Sequence, residues 1–519
     1  MPDITSFTEN TNKFHTWLSE NFEKLSPKIE IADLRDTNQG RGLIAKQDIE
    51  EDEVLFEMSR DAILNIETSQ LSKINPENAE KLNNLTQWES LILVLAYEMM
   101  LGSESKWSPY FDVLPSGGFN SLMFWNDEEL EHLKPSRVLS RIGKKEAEEM
   151  YHKLVPGQCE ELGVPELAKF LTLEKFHVVA SIIMSYSFDV DRPEEVDLVE
   201  NGELEKETDE LEEAPEVEPT EDDDKEDNSS SNIEDEDEEE EDDDDEDEEQ
   251  SNIIKNDTFL KSMVPLADTL NANTTLFNAT LKYTNHKLSM TATKPIPAGS
   301  QIYNIYGDLP NSEILRKYGY IELPNSQHEF AEIPIELVKQ HYLKFPLSKE
   351  SKHASALEKL NASQKLVDGV LELIDESEFL DMTLVDCEGS IVIESYEVFK
   401  DGEVLLELTV LITVLSTLFR AFQSDFKWLK KLLRGVGKED SEFESFVNRT
   451  IMKCYQLIED GMLNRGALDD LHAILDARLK QYPEEIVNGG FEVPEQYGDF
   501  SKEKLANIVL KNEVDVLNC

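Results

Sequence analysis

Apolar residues alternate with polar ones over Ile29-Glu30-Ile31 and return at Leu43-Ile44-Ala45, with the Gly40-Arg41-Gly42 turn between them. This pattern predicts strand, glycine turn and strand. The period changes at Thr86-Gln87-Trp88-Glu89, where a hydroxyl and a carboxylate three residues on can satisfy the free amides of a helix start. Trp88, Leu91, Leu95 and Met99 then recur at three- and four-residue steps, predicting a helix over 88–101 that Gly102 ends. Further helical periods over 147–154 and 167–187 make this stretch mainly α. Beyond Pro334 the pattern is helical again, with Leu468, Leu471, Leu475 and Leu479 on one face before Tyr482-Pro483 stops the run.

A weak internal repeat ties the two ends of the first block together. Ala45, Ile49 and Leu55 keep the intervals of Ala292, Ile296 and Ile302, and each set brackets a turn. The two segments read as related hairpins of one small β-domain, with the helical stretch inserted between them.

Length and charge refine this outline. A chain of 519 residues allows about three compact regions at roughly 150 residues each. The formal net charge is -61, but residues 193–250 alone hold 35 acidic residues against 2 lysines. That tract lacks aromatic residues and is read as a disordered acidic loop, because it cannot bury enough surface to offset its chain entropy. Neither the whole chain nor the part outside that tract has the basic footprint that a phosphate backbone requires, so no direct nucleic-acid ligand is expected and basic proteins are the expected partners. Cys159, Cys387, Cys454 and Cys519 have no metal or disulfide spacing, and the scattered histidines offer no metal site. The longest apolar run, 408–419, is too short to span a membrane. The N-terminus has no secretory or transit pattern. A monomeric, intracellular protein in a reducing compartment is expected.

Candidate chemistry concentrates in 263–322. Asp268, Asn271, Asn273 and Asn278 are followed by a Pro/Gly-punctuated turn, then Tyr303, Tyr306-Gly307 and Tyr318-Gly319-Tyr320. Amides both donate and accept, and tyrosines build aromatic walls with polar tips. The combination suits a polar cofactor held beside an aromatic slot. Taken singly, an Asn-stabilised turn or a buried strand tyrosine would be the plainer reading of each residue.

Four motifs in order, Gly40-Arg41-Gly42-Leu43, the 263–271 stretch ending in Asp268-Thr269-Leu270-Asn271, Ile305-Tyr306-Gly307 and Tyr318-Gly319-Tyr320, resemble those of SET-domain protein-lysine methyltransferases. Within that superfamily the chain is similar to the Rubisco-methyltransferase-like branch, and the run 301–312 to the fungal enzymes that methylate a ribosomal protein. The resemblance implies an α+β fold: a SET-domain β-core (27–71 and 256–330) with a helical insertion (72–192) and the acidic loop (193–252), then an all-α domain (331–519) like that branch's substrate-binding domain.

It also implies S-adenosylmethionine as cofactor and a lysine entering a narrow channel from the opposite face, with methyl transfer governed by alignment. Desolvation beside a sulfonium lowers the lysine pKa, favouring the neutral amine. Tyr306 takes the place of the catalytic tyrosine, orienting the amine and accepting weak CH···O contacts. Arg41, Gly42, Leu43, Asn271, Ala272 and Tyr318 take cofactor positions; Tyr303, Tyr318 and Tyr186 take substrate positions, with Tyr303 equally readable as core. Two positions depart from the family pattern: Ala272 stands where His is usual, and Ser185-Tyr186 where Ser-Arg is usual.

The expected function is transfer of methyl from S-adenosylmethionine to a lysine of a basic, large-subunit ribosomal protein. The alternative is a non-catalytic acidic binding or chaperone module that keeps the fold. Animal relatives acting on chromatin-linked proteins favour the nucleus, beside the cytoplasm, as its location.

Overall fold

The computed structural model describes residues 4–37, 39–193, 254, 258–344, 356–377, 390–424, 426–438, 441–462 and 464–519. The acidic tract from 194 onward lies outside them. Two compact units emerge: the first comprises 1–124, 143–307 and 317–319, the second 125–142, 308–316 and 320–519. The expected cut at residue 330 thus falls differently here, because 125–142 and 308–316 pack with the later chain.

In the first unit, strands β1 (Phe22–Leu25), β2 (Ile29–Asp33), β3 (Arg41–Ala45) and β4 (Val54–Ser59) precede the helical stretch, and β5 (Ser187–Asp191) closes it. Strands β6 (Phe259–Met263), β7 (Asn271–Ala272), β8 (Ala279–Tyr283), β9 (Lys287–Ala292) and β10 (Gln301–Asn304) follow. They form sheets of order β1-β4-β9-β8 and β2-β3-β10-β7, plus the β5-β6 pair. The repeat is real in its pairing but is not two hairpins. Instead β4 pairs with β9, β3 with β10, and Ile49 bridges Ile296 between them. Each repeat passes from one sheet to the other, so the two copies lean on each other. Leu43, Leu55, Phe56, Met58, Met290 and Ile302 are buried beneath these pairings, each contributing on the order of 1.5–3 kcal/mol of transfer free energy.

The helical insertion begins where expected. Helix Gln87–Leu101 has a capping box: the Thr86 hydroxyl accepts from the Glu89 amide and the Glu89 carboxylate accepts from the Thr86 amide at 3.1 Å. Such a cap is worth about 1 kcal/mol. The helix is buried on most sides, from Ser90 through Ala96. The second helical period is broken into Pro165–Phe170 and Leu173–Tyr186, with the Thr172 side chain capping the latter. A first helix, Ile4–Asn21, was not anticipated; it buries Phe7, Phe14, Trp17 and Leu18.

The second unit is mainly helical and contains a two-stranded antiparallel ladder, β11 (Phe330–Pro334) with β12 (Ser395–Phe399). Segment 125–142 is held in it by Arg141, which pairs with Glu332 at 2.7 Å and Glu313 at 2.8 Å. Helix Arg465–Leu479 faces the core differently from the leucine pattern: Ala467, Asp470, Ile474 and Arg478 are the buried residues. Asp470 accepts from Arg420 and Tyr342 and meets His341 at 3.1 Å. Burial alone would raise its carboxyl, but hydrogen bonds from His341 and Arg420 hold it well below the usual range. Arg478 donates to the backbone oxygens of Glu332 and Pro135. Specifically paired polar groups therefore take the inward positions, and Leu468 is left 38% exposed. Among the described residues no helix is long and apolar enough to cross a membrane.

Candidate active site

Strand order does the first work. Because β10 lies between β3 and β7, the Arg41-Gly42-Leu43 strand and Asn271-Ala272 flank the same short strand, although 230 positions separate Arg41 from Asn271. Each asparagine of the cluster has a distinct task. The Asn271 side-chain amide donates to the Arg41 carbonyl at 3.3 Å. Asn273 accepts from the amides of Thr275 and Leu276, an Asx turn. Asn278 accepts from the Tyr303 amide and donates to the Gln301 carbonyl, acting as an extra rung beside β10.

Gly42 is required by crowding. A Cβ there would meet the Asn271 amide nitrogen at 2.8 Å, Gln301 Nε2 at 3.0 Å and Leu34 at 2.6 Å. Any larger residue would push aside the amides that define this corner. Gln301 Nε2 is buried there without a hydrogen-bond partner among the described residues, leaving a donor for an incoming polar group. The Arg41 guanidinium is committed elsewhere: it donates to Thr11, Val113 O and Phe7 O and lies 3.8 Å over the Phe7 ring. Only its backbone faces Asn271. Leu43 is fully buried.

The tyrosines separate into two groups. Tyr306 donates its hydroxyl proton to the Leu270 carbonyl at 2.6 Å, and its ring lies 4.8 Å from that of Tyr318 at 37°. With its proton committed to the backbone, the hydroxyl can act toward any further partner only as an acceptor. Tyr318 ends the helix Asn311–Tyr318 and is pinned on both sides. Ser185 Oγ donates to the Lys317 carbonyl at 3.1 Å, and the Asn120 amide to the Gly319 carbonyl at 2.9 Å. Gly319 has φ +76, and a Cβ there would stand 2.6 Å from the Ser121 nitrogen. Tyr303 is engaged through its backbone with Asn271 and Asn278.

Two residues before Leu270 lies a buried carboxyl. Asp268 accepts from the Tyr110 hydroxyl at 2.5 Å and more weakly from Thr269, on a turn where Leu266 has φ +73. Burial pushes Asp268 up to about 7, against the lowering effect of those hydrogen bonds. Burial likewise pushes Tyr186 up to about 12, Asp268 adding to the effect and Arg41 opposing it. Tyr186, Tyr110, Asp268 and Arg41 therefore form one electrostatic group, of which Asp268 stands two residues before the Leu270 carbonyl that fixes Tyr306.

A model of the SET domain matches residues 40–307, the span that contains β3, β7, β10 and Tyr306. The chain belongs to the SET-domain family. It is similar to ribosomal lysine N-methyltransferase 4 of Saccharomyces cerevisiae, 34% identical over 99% of this chain and 91% of that protein. The N-lysine methyltransferase SETD6 of Bos taurus is 27% identical over 87% of this chain and 83% of its own length. Among solved structures, Rubisco LSMT bound to AdoMet shares the fold at TM-score 0.56 and 16% identity, covering 98% of this chain and 90% of that one.

For this SET-domain chain, the fold brings Arg41, Gly42, Leu43, Asn271 and Ala272 to one corner, through β3, β10 and β7, and joins Tyr306 to Tyr318. Ala272 is buried and paired with Asn304 in the β7-β10 ladder, so its backbone is fixed whatever its side chain. Sequence reasoning missed the roles of Tyr110, Asn120 and Gln301. Asp268 stood in the polar stretch without a partner, and nothing in the sequence connects it to a tyrosine 158 residues away.

Proposed function

We propose that this chain transfers a methyl group from S-adenosylmethionine to a lysine of a large-subunit ribosomal protein. The enzyme class, protein-lysine N-methyltransferase, and the cofactor follow from its family and from the named relatives. The observation that carries the reading is the fixed Tyr306 hydroxyl, its proton on Leu270 O and its ring against Tyr318. That hydroxyl accepts from a lysine amine and holds its lone pair in line, the alignment on which such transfer depends.

Bound S-adenosylmethionine supplies an electrophilic methyl group on a sulfonium. The chain's residues suit a polar cofactor: Gly42 leaves room for the Asn271 and Gln301 side-chain amides, and Gln301 Nε2 is a buried donor with no acceptor among the described residues. Tyr318, Tyr186 and Tyr303 on β10 are assigned to the lysine side. The ribosomal target is supported by the name of the full-length yeast relative and by the acidic charge of the chain, which attracts basic proteins.

The test is incubation with radiolabelled S-adenosylmethionine and large ribosomal subunits from cells lacking this enzyme. Label is expected in one protein band with wild type and not with Tyr306→Phe. Absence of cofactor binding by calorimetry would instead leave the non-catalytic acidic module as the better account.

A further inference from the structure

The Tyr306 hydroxyl is only as fixed as the carbonyl it donates to. That carbonyl, Leu270 O, lies 2.6 Å from it, and Leu270 directly follows the single buried turn Ala267–Thr269. The turn begins after Leu266, a buried leucine at φ +73, a conformation that a leucine keeps only where its surroundings impose it. Its own backbone bonds run from the Asp268 amide to Val264 O at 3.2 Å, from Thr269 to Leu266 O at 3.1 Å and from Leu270 to Ala267 O at 3.4 Å. The longest of them is the one at Leu270.

A tie from outside the turn supplies what these bonds lack. The Tyr110 hydroxyl donates to Asp268 Oδ2 at 2.5 Å, between a fully buried ring and a carboxyl 5% exposed. Tyr110 stands on the short helix Ser108–Phe111, which two indoles pin in place. Trp17 of the N-terminal helix donates to Lys106 O at 2.7 Å, and Trp107 donates to Ala62 O at 3.2 Å. The Phe14 ring packs against that of Tyr110 at 5.9 Å. Two residues beyond Ala62, Leu64 exchanges both backbone bonds with Met263, at 2.8 and 2.9 Å, just before the strained leucine. Segment 62–64 therefore anchors both sides of the Tyr110–Asp268 bond.

We propose that Tyr110 and Asp268 are positioning residues for methyl transfer: their bond sets the turn that presents Leu270 O, and through it the direction of the Tyr306 hydroxyl. The inference rests on the methyltransferase reading. Neither side chain has to touch lysine or cofactor, because a small misplacement of the Tyr306 oxygen is enough to spoil the alignment that transfer requires. A positioning role differs from plain support of the fold in one respect. Once the Tyr306 oxygen is removed, Tyr110 has nothing left to position.

The test is single-turnover transfer from S-adenosylmethionine to large ribosomal subunits by wild type, Tyr110→Phe, Tyr306→Phe and the double variant, with cofactor affinity read by calorimetry. Phe at 110 keeps the ring against Phe14 and loses only the hydroxyl. Tyr110→Phe is expected to slow transfer roughly tenfold, while cofactor affinity and the half-saturating subunit concentration stay within about threefold. The double variant should be as slow as Tyr306→Phe alone, not about tenfold slower. From the acceptor side, Asp268→Ala should match Tyr110→Phe, and Asp268→Asn, which retains an oxygen, should recover most of the lost rate.

Tyr110→Phe transferring at the wild-type rate, losses that multiply in the double variant, or equal rates for Ala and Asn at 268 would each overturn the positioning role and leave the enzyme reading intact. So would a Tyr110→Phe defect confined to cofactor affinity. Absence of transfer by the wild type is the separate outcome that defeats the methyltransferase reading, and the positioning role with it.

Discussion

Asp268→Asn offers a quantitative test of how the site is built. Asn keeps the size of the side chain and an oxygen to accept from Tyr110, but it cannot ionise. In the folded chain burial pushes the Asp268 carboxyl up to about 7, from an ordinary value of 3.8. Over that interval the folded state keeps a proton that the unfolded chain has released. The stability contributed by this group is therefore complete below about pH 4, declines as pH rises to about 7, and stays low above it. At 1.36 kcal/mol per pKa unit the decline is at most about 4 kcal/mol. Asn suffers no such loss, so the stability difference between variant and wild type should swing by about 2–4 kcal/mol in favour of Asn from pH 4 to pH 8. Urea unfolding read by hydrogen exchange of peptides covering 258–283 follows this unit separately from the second. A difference that stays constant with pH, or swings the other way, would refute a buried carboxyl held in its protonated range. Tyr110→Phe is the companion variant: loss of the donor should move the decline to higher pH.

Two glycine substitutions test the corners that hold the proposed ligands. Gly42→Ala should cost about 1–3 kcal/mol and, by displacing the Asn271 and Gln301 amides, weaken S-adenosylmethionine binding about tenfold or more in calorimetry; unchanged affinity would remove Asn271 from the cofactor site. Gly319→Ala should be far worse than Gly299→Ala in thermal unfolding, since both have positive φ but only the former Cβ meets backbone, at 2.6 Å from the Ser121 nitrogen. The expected cost is on the order of 3 kcal/mol or more against about 1 for Gly299→Ala, and equal costs would show that the Tyr318 turn is not pinned by 120–121.

Much of this architecture was legible in the chain. The Thr86-Glu89 capping box, the β2-β3 turn and the position of Tyr306 after a Pro/Gly turn are local signals, and local signals survive folding. The interval match of Ala45-Ile49-Leu55 with Ala292-Ile296-Ile302 foretold that two remote segments belong together, though spacing alone could not show that they pair with each other rather than each with itself. What escaped was decided by tertiary partners. Helix Arg465–Leu479 looks leucine-faced until Arg420, His341 and Tyr342 are placed around Asp470. Tyr110 carries no local mark of its bond to Asp268, and the ladder Phe330–Pro334 with Ser395–Phe399 interrupts a region whose periodicity is helical. Helix Ile4–Asn21 was legible in the spacing of Phe7, Phe14, Trp17 and Leu18 and was overlooked.

The central claim is that the Tyr306 hydroxyl, fixed on Leu270 O, aligns a lysine for methyl transfer. Single-turnover transfer from S-adenosylmethionine to purified large ribosomal subunits, comparing wild type with Tyr306→Phe, tests it most directly. Phe keeps the ring against Tyr318 and loses only the oxygen, so cofactor affinity should stay within about threefold while the transfer rate falls roughly a hundredfold. A Tyr306→Phe enzyme that transfers at nearly the wild-type rate would contradict the account.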